Sequence, residues 1–311
     1  MTIISFLTRV IVRLHSQVLV LAGALLLGCG LIVITFYGIL VGRYDIHVEK
    51  RNLYFPDLPE QMDGYKIVQI SDIHMGSFGK NPKVMMETVK IIEQLQPDLL
   101  LFTGDIVNNF GEEIVGFEPY LKHLSGKYGK YAIQGNHDYG DYFIWPDTLS
   151  KRDNLNLIKA GLTDAGFTLL QNQWQKIIVK DTSFSLIGVE NWGHKPFPQY
   201  ANLEVAMKGI AENSFKILMS HDPAHWRAKV IADTNIQLTL SGHTHGGQFG
   251  MKFAGIEFSP IYLNEKNWGG LYQSENQFLY VNRGLGTVGF PGRIEMRPEI
   301  TLLTLFRSNG H

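Results

Sequence analysis

The chain has 311 residues, 45% of them hydrophobic and 12% aromatic, which is enough to bury a sizeable core and too apolar for a disordered chain. With 28 Lys and Arg against 29 Asp and Glu, the formal charge of −1 lacks the basic surplus that neutralises a nucleic-acid backbone, so nucleic acid is not expected as a partner. A single cysteine, Cys29, excludes an internal disulfide.

From Val18 to Val41 the sequence reads VLVLAGALLLGCGLIVITFYGILV, without one charge. A helix of this length rises about 1.5 Å per residue and covers the roughly 30 Å hydrocarbon layer of a bilayer. Signal-peptide cores run only about 7–15 residues before a small-residue cleavage site, and no Ala-x-Ala follows here. Residues 1–44 are therefore expected to form an uncleaved membrane anchor with its span at about 18–41. Ahead of it, Ile3, Leu7, Val10, Ile11 and Leu14 recur at helical spacing, with Arg9 and Arg13 on another side. That pattern fits either a short interfacial helix or an extension of the span. Arg9 and Arg13 before the span are matched by Arg43, Lys50 and Arg51 after it, so charge leaves the sidedness open.

Residues 45–64, ending in FPDLPEQMDG, read as a connector to a soluble domain over residues 65–311. There YKIVQIS is an apolar, β-branched strand, NPKVMMETVKIIEQLQ has helical spacing, and PDLLLFTGD is a strand again, making a β-α-β unit. A helical piece near 117–124 and the strand KYAIQ follow. IIVKDTSFSLIGVE reads as a hairpin, and FKILMSHDP, IQLTLSGHTH, QFLYVNRG and EITLLTLF as strands.

The polar residues fall just past the strands: Asp72 and His74 after the first, Asp105 after the second, Asn136 and His137 after the third, His221 after the next, then His243 and His245. Ligands and catalytic groups gather outside the carboxyl ends of strands in open α/β sheets. Any one of these residues has an ordinary explanation as a turn cap or a hydrogen-bonded histidine. As a set they place imidazoles, carboxylates and an amide at five strand ends. Without a thiolate, such donors suit divalent ions of intermediate hardness.

The blocks SDIH, TGD, GNHD, SHDP and SGHTHGGQ resemble the signature of the calcineurin-like metallophosphoesterase superfamily, from about Tyr65 to the C-terminus. Finer features, ENWG, SHDPAHW and NRGLGTVGFPGR behind an apolar N-terminus, are similar to a bacterial membrane-associated branch. The resemblance implies a four-layer αββα sandwich with a dimetal site at one edge, here preceded by a transmembrane helix. It implies that Asp72, His74 and His245 hold one metal, that Asn136, His221 and His243 hold the other, and that Asp105 bridges both. Two divalent ions would be the cofactors, manganese first, with iron, zinc or magnesium as alternatives. In extended backbone His137 points away from its neighbour Asn136, and the resemblance implies that it protonates the leaving oxygen or stabilises charge there. Asp138 is expected to orient a histidine, most simply His137.

Arg283 and Arg293, in a glycine-rich stretch, are candidates for substrate phosphate contact, with structural ion pairs as the alternative. Trp145, Trp192, Trp226 and Trp268 either wall a pocket or pack in the core.

The resemblance implies a membrane-anchored phosphodiesterase or pyrophosphohydrolase of a bacterial cell envelope, acting on a phosphoester substrate, with a lipid-linked pyrophosphate as one candidate. A narrower alternative is UDP-2,3-diacylglucosamine pyrophosphohydrolase of lipid A synthesis. The stretch GDIVNNFGEE, lacking an acid and arginine soon after Gly-Asp, argues against a protein phosphatase. A silent metal-binding scaffold is disfavoured because no expected ligand position is empty.

Overall fold

The computed structural model describes residues 3–253 and 256–308, with side chains described at residue 8 and from residue 12 onward, Ile256 apart. Helix α1 (Ile3–Leu40) is continuous, so residues 3–14 extend it rather than forming a separate interfacial helix. The side chains of Ile3, Leu7, Arg9, Val10 and Ile11, on which that amphipathic reading rested, lie outside the described residues. Among the described residues α1 is the one helix long and apolar enough to cross a membrane, and its apolar stretch is unburied.

The elements then run β1 (His47–Phe55), β2 (Tyr65–Ile70), α2 (Lys83–Leu95), β3 (Leu99–Phe102), α3 (Glu118–His123), β4 (Lys130–Ala132), α4 (Thr148–Asp164) and β5 (Thr168–Leu169). They continue with β6 (Gln173–Val179), β7 (Thr182–Gly188), α5 (Leu203–Met207), β8 (Lys216–Met219), β9 (Leu238–Ser241), β10 (Met251–Phe253), β11 (Ile256–Phe258), β12 (Gly270–Ser274), β13 (Gln277–Val281) and β14 (Glu299–Arg307).

Among the described residues two six-stranded sheets form, in the orders β1-β14-β2-β3-β4-β5 and β12-β13-β9-β8-β7-β6, with β10 and β11 as a separate hairpin. β2, β3, β4 and β5 pair in parallel, as do β7, β8, β9 and β13. Parallel neighbours bring their carboxyl ends to one edge. β6 with β7 is the antiparallel hairpin expected from IIVKDTSFSLIGVE.

Alternation along the strands builds the layers. Leu99 and Leu101 face inward with Ile67, Phe184, Leu186, Ile217, Leu240 and Leu303, filling the space between the sheets. Leu100 and Phe102 face outward against Ile92 of α2, Leu121 of α3 and Ile158 of α4. On the far face Leu218, Leu279 and Val281 pack against Ala206 of α5 and against Trp226 and Val230. The result is helices, sheet, sheet, helices.

Residues 45–64, expected as a connector, carry β1, which pairs in parallel with β14 from His47↔Glu299 to Phe55↔Arg307. Leu53 and Phe55 enter the inter-sheet core. The polar run HVEKRN hides this strand from a local reading, because its partner lies about 250 residues away. The junction after α1 is equally well packed. Arg293 N–H donates to Gly38 O (3.1 Å), Arg43 Nη1 donates to Pro291 O (3.1 Å), and Arg297 Nη2 reaches Asp45 Oδ1 at 2.7 Å. A side chain on Gly42 would strike the carbonyl of Arg293, so the close approach requires glycine there.

Truncating fully buried Leu101 to alanine should cost about 3 kcal/mol from lost burial and the cavity left behind. In thermal unfolding of the full chain in detergent this should read as a fall in Tm of roughly 5–10 °C.

Candidate metal centre

The carboxyl ends of β2, β3, β4, β8 and β9 deliver Asp72, His74, Asp105, Asn136, His221, His243 and His245 to one place. His74 Nε2 lies 3.1 Å from His245 Nε2 and 3.6 Å from Asp105 Oδ2. Asp72 Oδ1 is 3.4 Å from His245 Nε2. His221 Nε2 is 3.2 Å from the same Asp105 Oδ2 and 3.0 Å from Asn136 Oδ1, which in turn is 2.8 Å from His243 Nδ1. Two donors bound 2.0–2.2 Å from one shared ion would sit roughly 3–3.5 Å apart, so these separations fit cation coordination. Asp72, His74 and His245, and likewise Asp72, Asp105 and His221, bring donor atoms within 4.8 Å of one another. One oxygen, Asp105 Oδ2, lies beside both histidine groups.

Other bonds fix which ring nitrogen faces inward. His74 Nδ1 donates to Val107 O (3.1 Å) and His221 Nδ1 to Thr103 O (2.7 Å), turning each Nε2 toward the cluster. Tyr142 accepts from Asn136 Nδ2 at 2.8 Å, which turns the amide oxygen toward His221 and His243. Tyr142 also stacks on His137, with ring centroids 4.6 Å apart. Nothing in its local sequence flags Tyr142; its neighbours in space reveal it.

The backbone is held in an uncommon conformation. Asp72, His74, Asp105, His243 and His245 all have positive φ, between 45° and 75°. Branched or long side chains seldom adopt this region, and its recurrence at functional sites points to a geometry imposed by the surroundings. Gly104, at φ 99°, lets Gly135 pass so closely that a Cβ would lie 2.5 Å from its nitrogen.

Asp72, Asp105 and Asp138 are buried together. Burial pushes the Asp72 carboxyl up to about 6, with the nearby Asp105 charge adding to it and His221 opposing. Burial also opposes charge on Asp105, but the imidazoles of His221, His137 and His74 outweigh it and hold its carboxyl well below the usual range. Against burial, Asp105 and Asp72 drive His221 up to about 10. Desolvation drives His74 down to about 3 and His245 well below its ordinary value, the latter helped by His74 and Arg293. Among the described residues the ion-pair partners of Asp72 and Asp105 within 4 Å are imidazoles.

Two expectations are corrected. Asp138 does not orient His137: its carboxylate accepts from the backbone N–H of Asp105, Ile106 and Gly135, each at 2.9 Å. It ties the Asp105 loop to the Asn136 loop, while His137 Nδ1 donates to Asn108 O at 2.6 Å. Burial lifts Asp138 to about 7, against the pull of the N–H groups from Gly135 and Asp105. Arg293 is not free for substrate: it is 1% exposed, and its guanidinium donates to Gly286 O (2.6 Å), Arg283 O (2.8 Å) and Met296 O (3.0 Å) while lying 3.2 Å from His245 Nδ1. Arg283 is largely buried and paired to Glu257, with Glu299 3.7 Å away.

The side chains that do reach the site are Lys195, a cation, and His194, whose Nε2 lies 2.9 Å from Asp222 Oδ2. They line a cleft of about 180 Å³ together with Asn136, Tyr142, Phe197 and His243. Larger grooves, of about 640 and 840 Å³, lie elsewhere and contain none of the seven candidate ligands, so chemistry rather than size locates the centre. Of the tryptophans, Trp226 packs in the outer core, Trp192 stacks on His225 at 4.5 Å, Trp145 donates to Gly140 O at 2.7 Å, and Trp268 lies against Arg283.

Replacing Asp138 by asparagine puts an N–H donor among N–H donors. Divalent-metal affinity, measured by calorimetry on the full chain, should fall about 10–100-fold with the seven candidate ligands untouched.

The model of the calcineurin-like phosphoesterase family matches residues 65–247. An uncharacterized metallophosphoesterase of Bacillus subtilis, YkuE, is 34% identical over 254 residues, covering 81% of this chain and 82% of its own. The Escherichia coli phosphodiesterase YaeI is 29% identical, covering 78% and 82%. A Danio rerio transmembrane protein with a metallophosphoesterase domain is 27% identical over 88% of this chain, which spans 60% of that relative's length. A donor cluster at the strand ends, the matched blocks and relatives covered over most of their length lead to one statement: the chain belongs to the calcineurin-like phosphoesterase family of metal-dependent hydrolases.

Proposed function

We propose that the chain is a membrane-anchored, dimetal-dependent hydrolase of phosphodiesters or pyrophosphates. The observation that carries this reading is the convergence of seven donor residues from five strand ends at separations suited to shared cations. Asp72, His74 and His245 are assigned to one ion, Asn136, His221 and His243 to the other, and Asp105 to both, with manganese the first choice. When bound, two such ions lower the pKa of a water and clamp phosphoryl oxygens.

The chain's own residues supply the rest. His137 has its Nδ1–H committed to Asn108 O and its ring held between Tyr142 and His74, at 4.6 and 4.9 Å between centroids. That leaves Nε2 facing the site, where the imidazolium form of the ring would give its Nε2 proton to the departing oxygen and return to neutral imidazole. Asp138 positions Asp105, and Lys195 contributes positive charge at the cleft, beside His194, whose Nε2 lies 2.9 Å from Asp222 Oδ2.

Anchoring in the membrane rests on α1 and on a Danio rerio relative named as a transmembrane protein; the bacterial envelope follows from the sequence resemblance. The pyrophosphohydrolase reading for UDP-2,3-diacylglucosamine is favoured by one feature: α1 docks on the segment that carries Arg293, keeping a bilayer-borne substrate within reach. A panel of bis(p-nitrophenyl) phosphate and a UDP-linked glycolipid separates a general phosphodiesterase from that narrower activity.

Chelation should reduce hydrolysis of bis(p-nitrophenyl) phosphate to background, with manganese restoring it. Asp105→Asn should remove the metal-dependent rate; a wild-type rate in that variant sinks the proposal. His137→Ala should lower kcat about 10²–10⁴-fold at unchanged metal content. Lys195→Ala should instead raise KM, by about tenfold.

A further inference from the structure

Immediately after the HTHGGQ stretch the chain exposes Phe249, Met251, Phe253, Phe258, Tyr262 and Leu263 within fifteen residues, Phe253 at 83% and Leu263 at 76%. Soluble surfaces seldom collect large apolar side chains so densely unless something covers them. The position of this patch identifies the cover. Phe249 bridges to Ile294, Ile294 N–H donates to Gln248 O (2.8 Å), and Gly250 N–H donates to Ile294 O (3.0 Å). Ile294 in turn presses on the last turn of α1, where its Cγ1 stands 2.7 Å from the place a Cβ on Gly38 would occupy.

The hairpin β10–β11 is thus locked beside the end of the apolar helix. Phe36, Tyr37, Leu40 and Val41 at that end are exposed, and in a chain anchored by α1 they would stand where the helix leaves the bilayer. Aromatic and aliphatic side chains at this depth gain by entering the interfacial layer.

We propose that this patch rests in the interfacial layer of the same bilayer that holds α1, as a second, non-spanning contact. The inference rests on the anchoring reading above. It has a geometric consequence for the metal centre. The turn at Ser259–Ile261 packs against Gly247, two residues past His245, with Ser259 Oγ 2.8 Å and Ile261 Cβ 3.0 Å from where a Cβ on Gly247 would lie. Lipid contact at this turn holds the rim of the metal centre at the membrane surface. The substrate class it favours is an amphiphilic phosphoester presented by that surface.

The test uses the full chain with Cys29→Ala, in vesicles of phosphatidylcholine and phosphatidylglycerol containing lipids nitroxide-labelled at shallow and at deep positions. Pyrene is placed on Phe253→Cys, on Leu26→Cys in the middle of α1, or on Ile178→Cys on the outermost strand of the second sheet. Quenching at 253 and at 26 but not at 178 is expected. Quenching at 26 without quenching at 253 overturns the patch and leaves the anchor standing; quenching at neither overturns both. Excimer emission at 253 without lipid quenching means a second copy covers the patch, and also overturns the proposal. As an activity readout, Phe253→Asp with Leu263→Asp should slow hydrolysis of a vesicle-embedded phosphodiester at least tenfold while soluble bis(p-nitrophenyl) phosphate is turned over at the wild-type rate. Equal rates on both substrates overturn the proposed role at the surface.

Discussion

The constraint on which the catalytic edge depends is the burial of three carboxylates, Asp72 and Asp105 among imidazoles and Asp138 against backbone N–H groups. Removing a carboxylate from water is costly unless charge and hydrogen bonds replace what water gave. For Asp138 the replacement is a set of backbone N–H groups. For Asp72 and Asp105 the close partners are histidines, and only His221 is driven toward its charged form while His74 and His245 are driven away from it. One imidazolium is a poor match for this much buried negative charge, whereas divalent cations coordinated by the same oxygens and nitrogens are a good one.

The same constraint explains the backbone. Five of the seven candidate ligands sit at positive φ, each at a cost of about 1 kcal/mol for a residue with a side chain. Such a cost persists only where surrounding contacts over-determine the loop. Here they do: both oxygens of Asp72 accept the His243 N–H at 3.0 Å, Asp105 Oδ1 accepts the His137 N–H at 2.9 Å, and Asp138 grips the Asp105 loop. Each carboxylate therefore holds the next loop in place as well as presenting oxygen to the cluster. A loop network closed on itself in this way offers preformed donors, so little ordering remains to oppose cation binding.

Much of this was legible in the sequence because it is local. A strand is short, apolar and β-branched, and the residue following it is fixed in space by it; SDIH, TGD, GNHD, SHDP and SGHTH each needed only their own strand to be placed. What escaped depends on partners far along the chain. The strand β1 is mostly polar and is recognisable only by its pairing with β14. Helix α4 buries Ile158 and Leu162 beside a polar residue, Asn154, whose amide bonds Gly111 N–H and Asn109 O, so its apolar stripe is too thin to read by period. Arg293 sits among glycines, which suggested an open phosphate site. The same glycines let the chain fold over it, and four of its carbonyl acceptors come from residues 245, 283, 286 and 296.

Arg293 also joins the two ends of the chain. Its backbone N–H donates to Gly38 in the last turn of α1, and its guanidinium lies against the imidazole of His245. A flexible linker between an apolar helix and a hydrolase domain would leave them mechanically independent. Here one residue is shared between the helix end and a candidate metal ligand, and the Gly38 and Gly42 contacts leave no room for a side chain between them. Displacing α1 from this seat must move the Arg293 backbone, and its guanidinium then cannot keep its carbonyl partners and its place against His245 together. Packing at the domain surface and geometry at the metal centre are therefore not separable properties of this fold.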